Sequence, residues 1–321
     1  YYLVLVTNYG NVTLVTTEST DTKIMNPTRS SQEEIYNLII TDLQEAAADL
    51  NTTPMDGNYA RVTKKAALGL LARAYAQGAG EGLSENGVSY WQRSKEVAED
   101  LIANMASYNA YLYDDVEDVW AQSNNRNNKE ALFIASGPQA GTDAFTYGSY
   151  GANKLFTFTF CDPNKLSDIY GQGTRDLRQT HWFKTSWGTS YLLKHNADLE
   201  YAKEKVRMIT LAEMYYIAAE AHPAEAYDLL EEILPSREIH SSLPVNAGRT
   251  EVLTEVLKEY RKEYIGDGQF FYAYKRLIEE EAAILPLGIN IPNENKVLVW
   301  PLPQDEIKYG DRESGIWKTE K

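Results

Sequence analysis

The chain is poor in the residue types on which common catalytic and metal sites depend. Its single cysteine, Cys161, excludes an internal disulfide and a cysteine-based zinc cluster. The 4 histidines are scattered, without the His-Glu-x-x-His spacing of a metalloprotease. Neither a Gly-x-Gly-x-x-Gly or Walker-type phosphate loop nor a Gly-x-Ser-x-Gly nucleophile elbow occurs. We therefore expect no catalytic residue, no metal and no cofactor.

Positive charge is also scarce. Against 46 Asp and Glu there are only 31 Lys and Arg, which gives a net charge of −15. Proteins that bind a phosphate backbone need clustered Lys and Arg, so this balance argues against nucleic acid as a partner.

No hydrophobic run is long enough for a transmembrane helix. The chain opens on Tyr-Tyr-Leu-Val-Leu-Val, which reads as the middle of an element. We therefore expect an N-terminal portion, with any targeting signal, to precede it.

Helical periodicity covers two blocks, residues 31–107 and 203–283. Ser31 with Glu34 and Ser89 with Gln92 have the spacing of helix N-terminal caps. The patterns predict helices over Tyr59–Ala79, from Ser89 onwards, over Val206–Ala221 and over Pro223–Leu234, and small residues such as Gly69 permit close helix approach. Repeated helix pairs of this kind are typical of tetratricopeptide-like folds.

A helical hairpin is predicted over Thr250–Glu281. Gly266 suits the left-handed end of its first helix. We expect Glu259 and Glu263 on a solvated face and Arg276 on the polar side of the second helix. Glu213 and Glu220, two turns apart, suggest a carboxylate pair, but pairing with arginines such as Arg207 is the favoured interpretation.

Residues 108–202 lack helical periodicity and are rich in Gly, Asn, Ser, Thr and aromatic residues. A long irregular segment on a rigid frame is usually functional. The chain has 23 Tyr and 6 Trp, and aromatic rings stack on the apolar faces of sugars while polar side chains bind the hydroxyl groups. The predicted ligand-binding residues are Trp120, Tyr147, Tyr150, Arg175, Trp182, Trp187 and Tyr191.

Several segments, in order along the chain, resemble the SusD/RagB family of outer-membrane nutrient-binding lipoproteins of Bacteroidetes. The closest likeness is Glu259–Leu277, which reads EYRKEYIGDGQFFYAYKRL. Leu211–Ala221, LAEMYYIAAEA, resembles another helix of the family, and Pro301 to Ile307 resembles its Pro-Ile-Pro-x-x-Glu-Ile motif. Tyr1–Val15 is a weaker match, because the family's Gly-Asp-Val-Pro-Leu is here Gly-Asn-Val-Thr-Leu.

The resemblance implies a mainly α, SusD-like superhelix of tetratricopeptide-like helix pairs with little strand. It implies a single domain over residues 1–321, in which residues 108–202 form a ligand-facing insert and residues 284–321 a C-terminal strap. It also implies a cell-surface lipoprotein of the outer membrane, attached only through a lipid anchor outside this stretch. Such a protein would capture an oligosaccharide and pass it, without catalysis, to a SusC-like TonB-dependent transporter.

Three alternatives remain open. A peptide could replace the glycan as ligand, since some family members bind peptides. A tetratricopeptide-like scaffold would bind a partner protein instead of a small ligand. A glycoside hydrolase would need two carboxylates held ~5–10 Å apart in a cleft, which the sequence does not indicate.

Overall fold

A computed structural model describes most of the chain. It covers residues 1–16, 28–57, 61–114, 116, 118, 128–136, 160–161, 163–171, 173, 175–186, 188–192, 205–280 and 298–301. The chain divides into two compact units, one formed by Tyr1–Asp42 with Ile289–Lys321 and the other by Leu43–Gly288. Whether all 321 residues act as one domain stays a prediction.

Helices dominate the described residues, which confirms the prediction of a mainly α fold. The helices are α1 (Tyr2–Tyr9), α2 (Gln32–Asp49), α3 (Lys64–Gly80), α4 (Tyr90–Ala103), α5 (Pro163–Tyr170), α6 (Leu177–Trp182), α7 (Leu211–Ala221), α8 (Ala226–Ile233), α9 (Arg249–Glu263) and α10 (Gln269–Glu280). The strands are β1 (Ser84–Glu85), β2 (Val88–Ser89), β3 (Ala131–Ser136), β4 (Phe160–Cys161), β5 (Phe183–Ser186), β6 (Thr189–Leu192) and β7 (Lys205–Thr210).

In the first unit, the capping prediction for α2 is confirmed. The Ser31 backbone N–H donates to Glu34 Oε2 at 2.8 Å, and the Glu34 N–H donates to Ser31 Oγ at 3.2 Å. The described part of the predicted C-terminal strap lies on α1: the Trp300 N–H donates to the Asn8 carbonyl at 2.7 Å, and its ring meets that of Tyr9 edge-on. This contact joins the two chain segments of the unit.

The second unit is built on α7, whose residues Leu211–Glu220 are all buried. Helices α3, α4, α8 and α9 pack against it, and α10 packs against α3 and α9. The α3–α4 and α7–α8 pairs are the helix pairs that the sequence predicts. The hairpin of α9 and α10 is also confirmed, with Gly266 at a φ of 81°.

Two glycines of α3 mark close approaches on different sides. A Cβ on Gly80 would lie 2.7 Å from Cβ and 2.8 Å from Cα of Arg276 in α10. A Cβ on Gly69 would instead meet Leu132 and Ile209, which belong to the antiparallel pair of β3 and β7. Small residues therefore bring α3 close to both a helix and a sheet.

The strand content corrects two expectations. Residues 206–210, the start of the helix predicted over Val206–Ala221, belong instead to β7, which pairs antiparallel with β3, and α7 begins only at Leu211. β-Branched Val206, Ile209 and Thr210 suit a strand. Within the insert, the described residues form β3, α5, α6 and a sheet in the order β4–β6–β5, so that part is more regular than expected.

Candidate functional site

The described part of the insert has a hydrophobic core of its own. It consists of Val116, Leu166, Tyr170, Trp182, Phe183 and Leu192. Phe183 and Leu192 are cross-strand partners between β5 and β6, while Leu166 and Tyr170 belong to α5. The strands and short helices therefore form a small packed base from which the rest of the insert continues.

Arg178 joins this base to α9. Its guanidinium is fully buried and donates to Asp176 at 2.9 and 2.7 Å, to Glu259 Oε2 at 2.7 Å and to Glu263 Oε2 at 3.0 Å. Nearby, the Tyr170 hydroxyl donates to the Lys262 carbonyl at 2.9 Å. Charge-assisted hydrogen bonds of this kind fix orientation, because a buried charge that loses its partner is costly.

The same carboxylates extend the buried charge network beyond Arg178. Glu263 Oε1 accepts from Nη2 of the buried Arg237 at 3.0 Å, and the same Nη2 lies 3.5 Å from Glu130 Oε1. Burial raises the pKa of Glu130 to about 7; Arg237 opposes the shift and Glu263 adds to it. Glu259 and Glu263 were expected to be solvated, and that expectation is wrong because they accept from Arg178 in the interior.

The two carboxylates that suggested a catalytic pair are each bound to an arginine. Arg73 donates from Nε to Glu213 Oε1 at 2.7 Å. Arg276 donates to both oxygens of Glu220 at 2.9 and 2.7 Å and to the Tyr260 hydroxyl at 2.8 Å. Pairing of Glu213 and Glu220 with arginines is therefore confirmed. The prediction that Arg207 is such a partner is wrong, because the partners are Arg73 and Arg276. Arg276 is buried rather than solvated, because it compensates Glu220 inside the helical core.

Among the predicted ligand-binding residues, the structure corrects Trp182. Its side chain is 1% exposed and packs in the core of the insert, so the ring does not lie on an open surface. Arg175 is exposed. Tyr191 lies on β6, opposite Phe160 and Lys184.

The remaining predicted site residues lie outside the described residues. They are Trp120, Tyr147, Tyr150 and Trp187. Their proposed role stays a prediction.

A pair of tyrosines with one exposed ring was not predicted from the sequence. Tyr111 is 44% exposed, and its ring meets that of Tyr113 edge-on with centroids 5.0 Å apart. Their spacing of two residues in an extended segment is the only signal in the sequence. A half-exposed ring held by a neighbouring ring offers a stacking surface.

Two open clefts border the helices of the second unit. One, of about 350 Å³, lies beside the hairpin of β1 and β2, and Gln44, Tyr75, Glu85, Arg93 and Glu96 line it in part. The Tyr75 hydroxyl donates to Glu85 Oε2 at 3.1 Å and accepts from Gln44 Nε2 at 3.0 Å. The other, of about 370 Å³, lies along α9 between Ser242 and Lys258.

One group of described residues has metal-ligating side chains close together. Ligand atoms of Glu99, His222 and Glu225 lie within 4.8 Å of one another, with His222 Nδ1 3.3 Å from each carboxylate. Lys95 lies 3.8 Å from Glu99, and all three side chains are partly or largely exposed. The arrangement is that of a surface ion-pair cluster.

None of the described helices combines the length and apolar character needed to cross a bilayer. A family model described as "Starch-binding associating with outer membrane" matches residues 1–76. No curated protein matches the chain.

Solved structures share the fold. A laminarin-binding SusD-like protein aligns with a TM-score of 0.69 at 19% identity, over 96% of this chain and 74% of that one. A SusD superfamily protein from Bacteroides thetaiotaomicron aligns with a TM-score of 0.76 at 17% identity, over 96% and 72%. Surface glycan-binding protein A from Bacteroides uniformis aligns with a TM-score of 0.70 at 16% identity, over 96% of this chain and 73% of that one. The chain is thus similar to the starch-binding, outer-membrane family over residues 1–76, and it shares the fold of SusD-like proteins over nearly its whole length.

Proposed function

We propose that the protein binds an oligosaccharide at the cell surface and releases it chemically unchanged. The observation that carries this proposal is the shared fold over 96% of the chain with a laminarin-binding SusD-like protein and a surface glycan-binding protein. The description of the matching family model, which names starch and the outer membrane, supports the same ligand class and location.

The insert over residues 108–202 is the proposed binding region. Its described base is held on α9 through Arg178 and Tyr170, so loops that continue from the base start from fixed positions. Aromatic residues on such loops stack on sugar rings at little entropic cost. With Trp182 in the core, the proposed contacts are Trp120, Tyr147, Tyr150, Arg175, Trp187 and Tyr191, together with the exposed Tyr111.

Binding without catalysis is favoured by the state of the carboxylates that the sequence singles out. Glu213 and Glu220 are buried and bound to Arg73 and Arg276, which leaves them unsuited to transfer a proton to a glycosidic oxygen. Incubation with the bound oligosaccharide should therefore release no new reducing ends. Turnover that is lost when one acidic residue becomes an amide would instead identify a glycoside hydrolase.

Calorimetric titration tests the ligand class. The purified chain would be titrated with laminarin, maltodextrin and xyloglucan oligosaccharides, and in parallel with tryptic peptides of casein. We expect a glycan to bind and Trp187→Ala or Tyr150→Ala to weaken it about tenfold, which corresponds to about 1.4 kcal/mol. Trp300→Ala, which removes an exposed ring of the other unit, is the matched control and should leave the affinity unchanged.

The outcomes separate the alternatives. Binding of casein peptides without binding of any glycan would favour the peptide-binding alternative. Equal affinities of W187A, Y150A and W300A for the glycan would remove the insert as the binding region.

We further propose that the protein delivers its ligand to a SusC-like TonB-dependent transporter and is attached to the outer membrane by a lipid. These steps follow from the family resemblance. Co-purification of the lipidated protein with the transporter expressed in the same cells would test the first. Palmitate labelling of the membrane fraction would test the second, and its failure would refute the anchor.

A further inference from the structure

A small cavity in the second unit is lined by an unusual set of polar groups. It measures about 30 Å³ and lies where the start of α3 meets β3 and the turn that follows α4. Its polar lining comprises Thr52, Arg61, Thr63, Lys65, Asn109 and Asn128. No carboxylate is among the described residues that line it.

Lys65 is a buried cation in this cavity. It is 9% exposed, and its Nζ donates to the Asn109 carbonyl at 3.0 Å, with no ion pair to any described residue. Burial, and then repulsion by Lys129, lower the pKa of Lys65 to about 8, so the ammonium remains mostly charged at neutral pH. Buried lysines are almost always paired, and in a chain of net charge −15 an unpaired one is unexpected.

A stacking surface adjoins the cavity along the chain. Asn109 has a φ of 52°, and this left-handed residue ends the turn after α4 two positions before the exposed Tyr111. The Tyr111 N–H donates to the carbonyl of Lys129, whose charge acts on Lys65. An exposed ring therefore lies two residues after the backbone carbonyl that accepts from the buried ammonium.

We propose that this cavity binds the acidic substituent, a carboxylate or a sulfate ester, of the captured glycan, whose sugar ring stacks on Tyr111. The inference rests on the proposed glycan-binding function and narrows its ligand to an acidic oligosaccharide. A carboxylate is small enough for the cavity, and Lys65 and Arg61 would supply the charge-assisted hydrogen bonds that it requires.

Calorimetry of the full chain with oligogalacturonate, its methyl ester and heparin-derived oligosaccharides tests the proposal. Methylation removes the charge and keeps the sugar, so we expect at least tenfold weaker binding of the ester. Lys65→Met keeps the length and buries no charge; Arg61→Gln changes an exposed side chain. Each should weaken binding of the acid at least tenfold and leave that of the ester unchanged. Lys258→Met, at a half-exposed lysine of α9, is the control and should bind like the wild type.

Several results would overturn the proposal, and they differ from failure of glycan binding itself. If the acid and the ester bind with equal affinity, or if the wild type and both variants bind the acid equally, the cavity does not recognise the charged substituent. The proposed glycan binding is not affected by that result. Binding of free sulfate that depends on Lys65, without preference for any acidic glycan, assigns the cavity to an inorganic anion and refutes the glycan substituent. Absence of binding to every glycan, neutral or acidic, refutes the proposed function as well.

Discussion

Glu130→Gln should change how the stability of the protein depends on pH. The Glu130 side chain is fully buried, and its Oε2 accepts from the Tyr113 N–H at 3.3 Å. Burial raises its pKa from 4.5 to about 7 in the folded protein, despite the guanidinium of Arg237 at 3.5 Å. The carboxyl therefore holds a proton in the native state over a pH range in which the unfolded chain has lost it.

The sign and size of the effect follow from this shift. A raised pKa stabilises the native state fully below pH 4.5, and that contribution is lost as the pH rises through about 7. At 1.36 kcal/mol for each pKa unit, the free energy of unfolding should fall by about 2 to 3 kcal/mol between pH 5 and pH 8 through this group. Glutamine stays neutral at both pH values, so E130Q should lose this part of the pH dependence.

Urea denaturation followed by tryptophan fluorescence at pH 5 and pH 8 measures the effect. The comparison is made between the two pH values, because the altered contact with Arg237 shifts E130Q by an amount that depends little on pH. Glu96→Gln is the control: hydrogen bonds from Gln92 and Arg93 lower the pKa of Glu96, so its carboxylate is ionised in both states across this range. Parallel curves for E130Q and the wild type would refute a raised pKa at Glu130.

Three further substitutions test the packing and the buried charges. Gly80→Ala should destabilise the protein by about 1–2 kcal/mol in urea, because a Cβ 2.7 Å from that of Arg276 forces α3 and α10 apart. This cost exceeds the stability that the higher helix propensity of alanine adds. An unchanged or raised urea midpoint would contradict the close contact between the two helices. Arg276→Met should cost about 3–5 kcal/mol by leaving Glu220 buried without its partner, and additional Glu220→Gln should recover part of the loss; additivity of the two changes would argue against the pair. Arg178→Met should cost a similar amount and make the insert more sensitive to trypsin than the helices, whereas uniform sensitivity would show that Arg178 does not anchor the insert.

Features that depend on neighbours in sequence could be predicted from it. The cap of α4 is formed as expected, with Ser89 Oγ accepting from the Gln92 N–H at 3.3 Å, and the cap of α2 likewise by Ser31 with Glu34. Gly266 ends the first helix of the hairpin in the left-handed conformation. Each of these needs only a side chain and the backbone within a turn of it.

Features that depend on distant partners were placed wrongly. Helical periodicity puts Glu259, Glu263 and Arg276 on polar faces. All three are nevertheless buried, and each forms an ion pair with a charged residue from elsewhere in the chain. Arg178, which covers the two glutamates, lies more than 80 residues away in sequence. Periodicity distinguishes polar from apolar faces, but it does not show which polar faces are paired inside the protein.

The sequence proposes a binding region and does not assign its residues one by one, and that region stays a prediction. An aromatic-rich, aperiodic segment indicates loops on a frame, but a tryptophan in it serves equally well as core or as ligand contact. Trp182 follows Arg178 within α6 and packs on β5 and α5, so the buried anchor draws that ring into the core. Tyr111, which is exposed, comes two residues after Asn109, whose carbonyl accepts from Lys65, and no local pattern in the sequence indicates that contact.

The two sides of α9 link the helical scaffold to the insert. On one side Tyr260 and Tyr264 pack on Tyr216 of α7, in the core of the scaffold. On the other, Glu259 and Glu263 accept from Arg178, so the insert neutralises charges that the scaffold itself buries. A change that displaces Arg178 removes from both buried carboxylates the partner that the insert supplies, and leaves Glu263 with Arg237 and Glu259 with Lys262. The physical cost of variation is thus high at the base on which the proposed binding region is positioned.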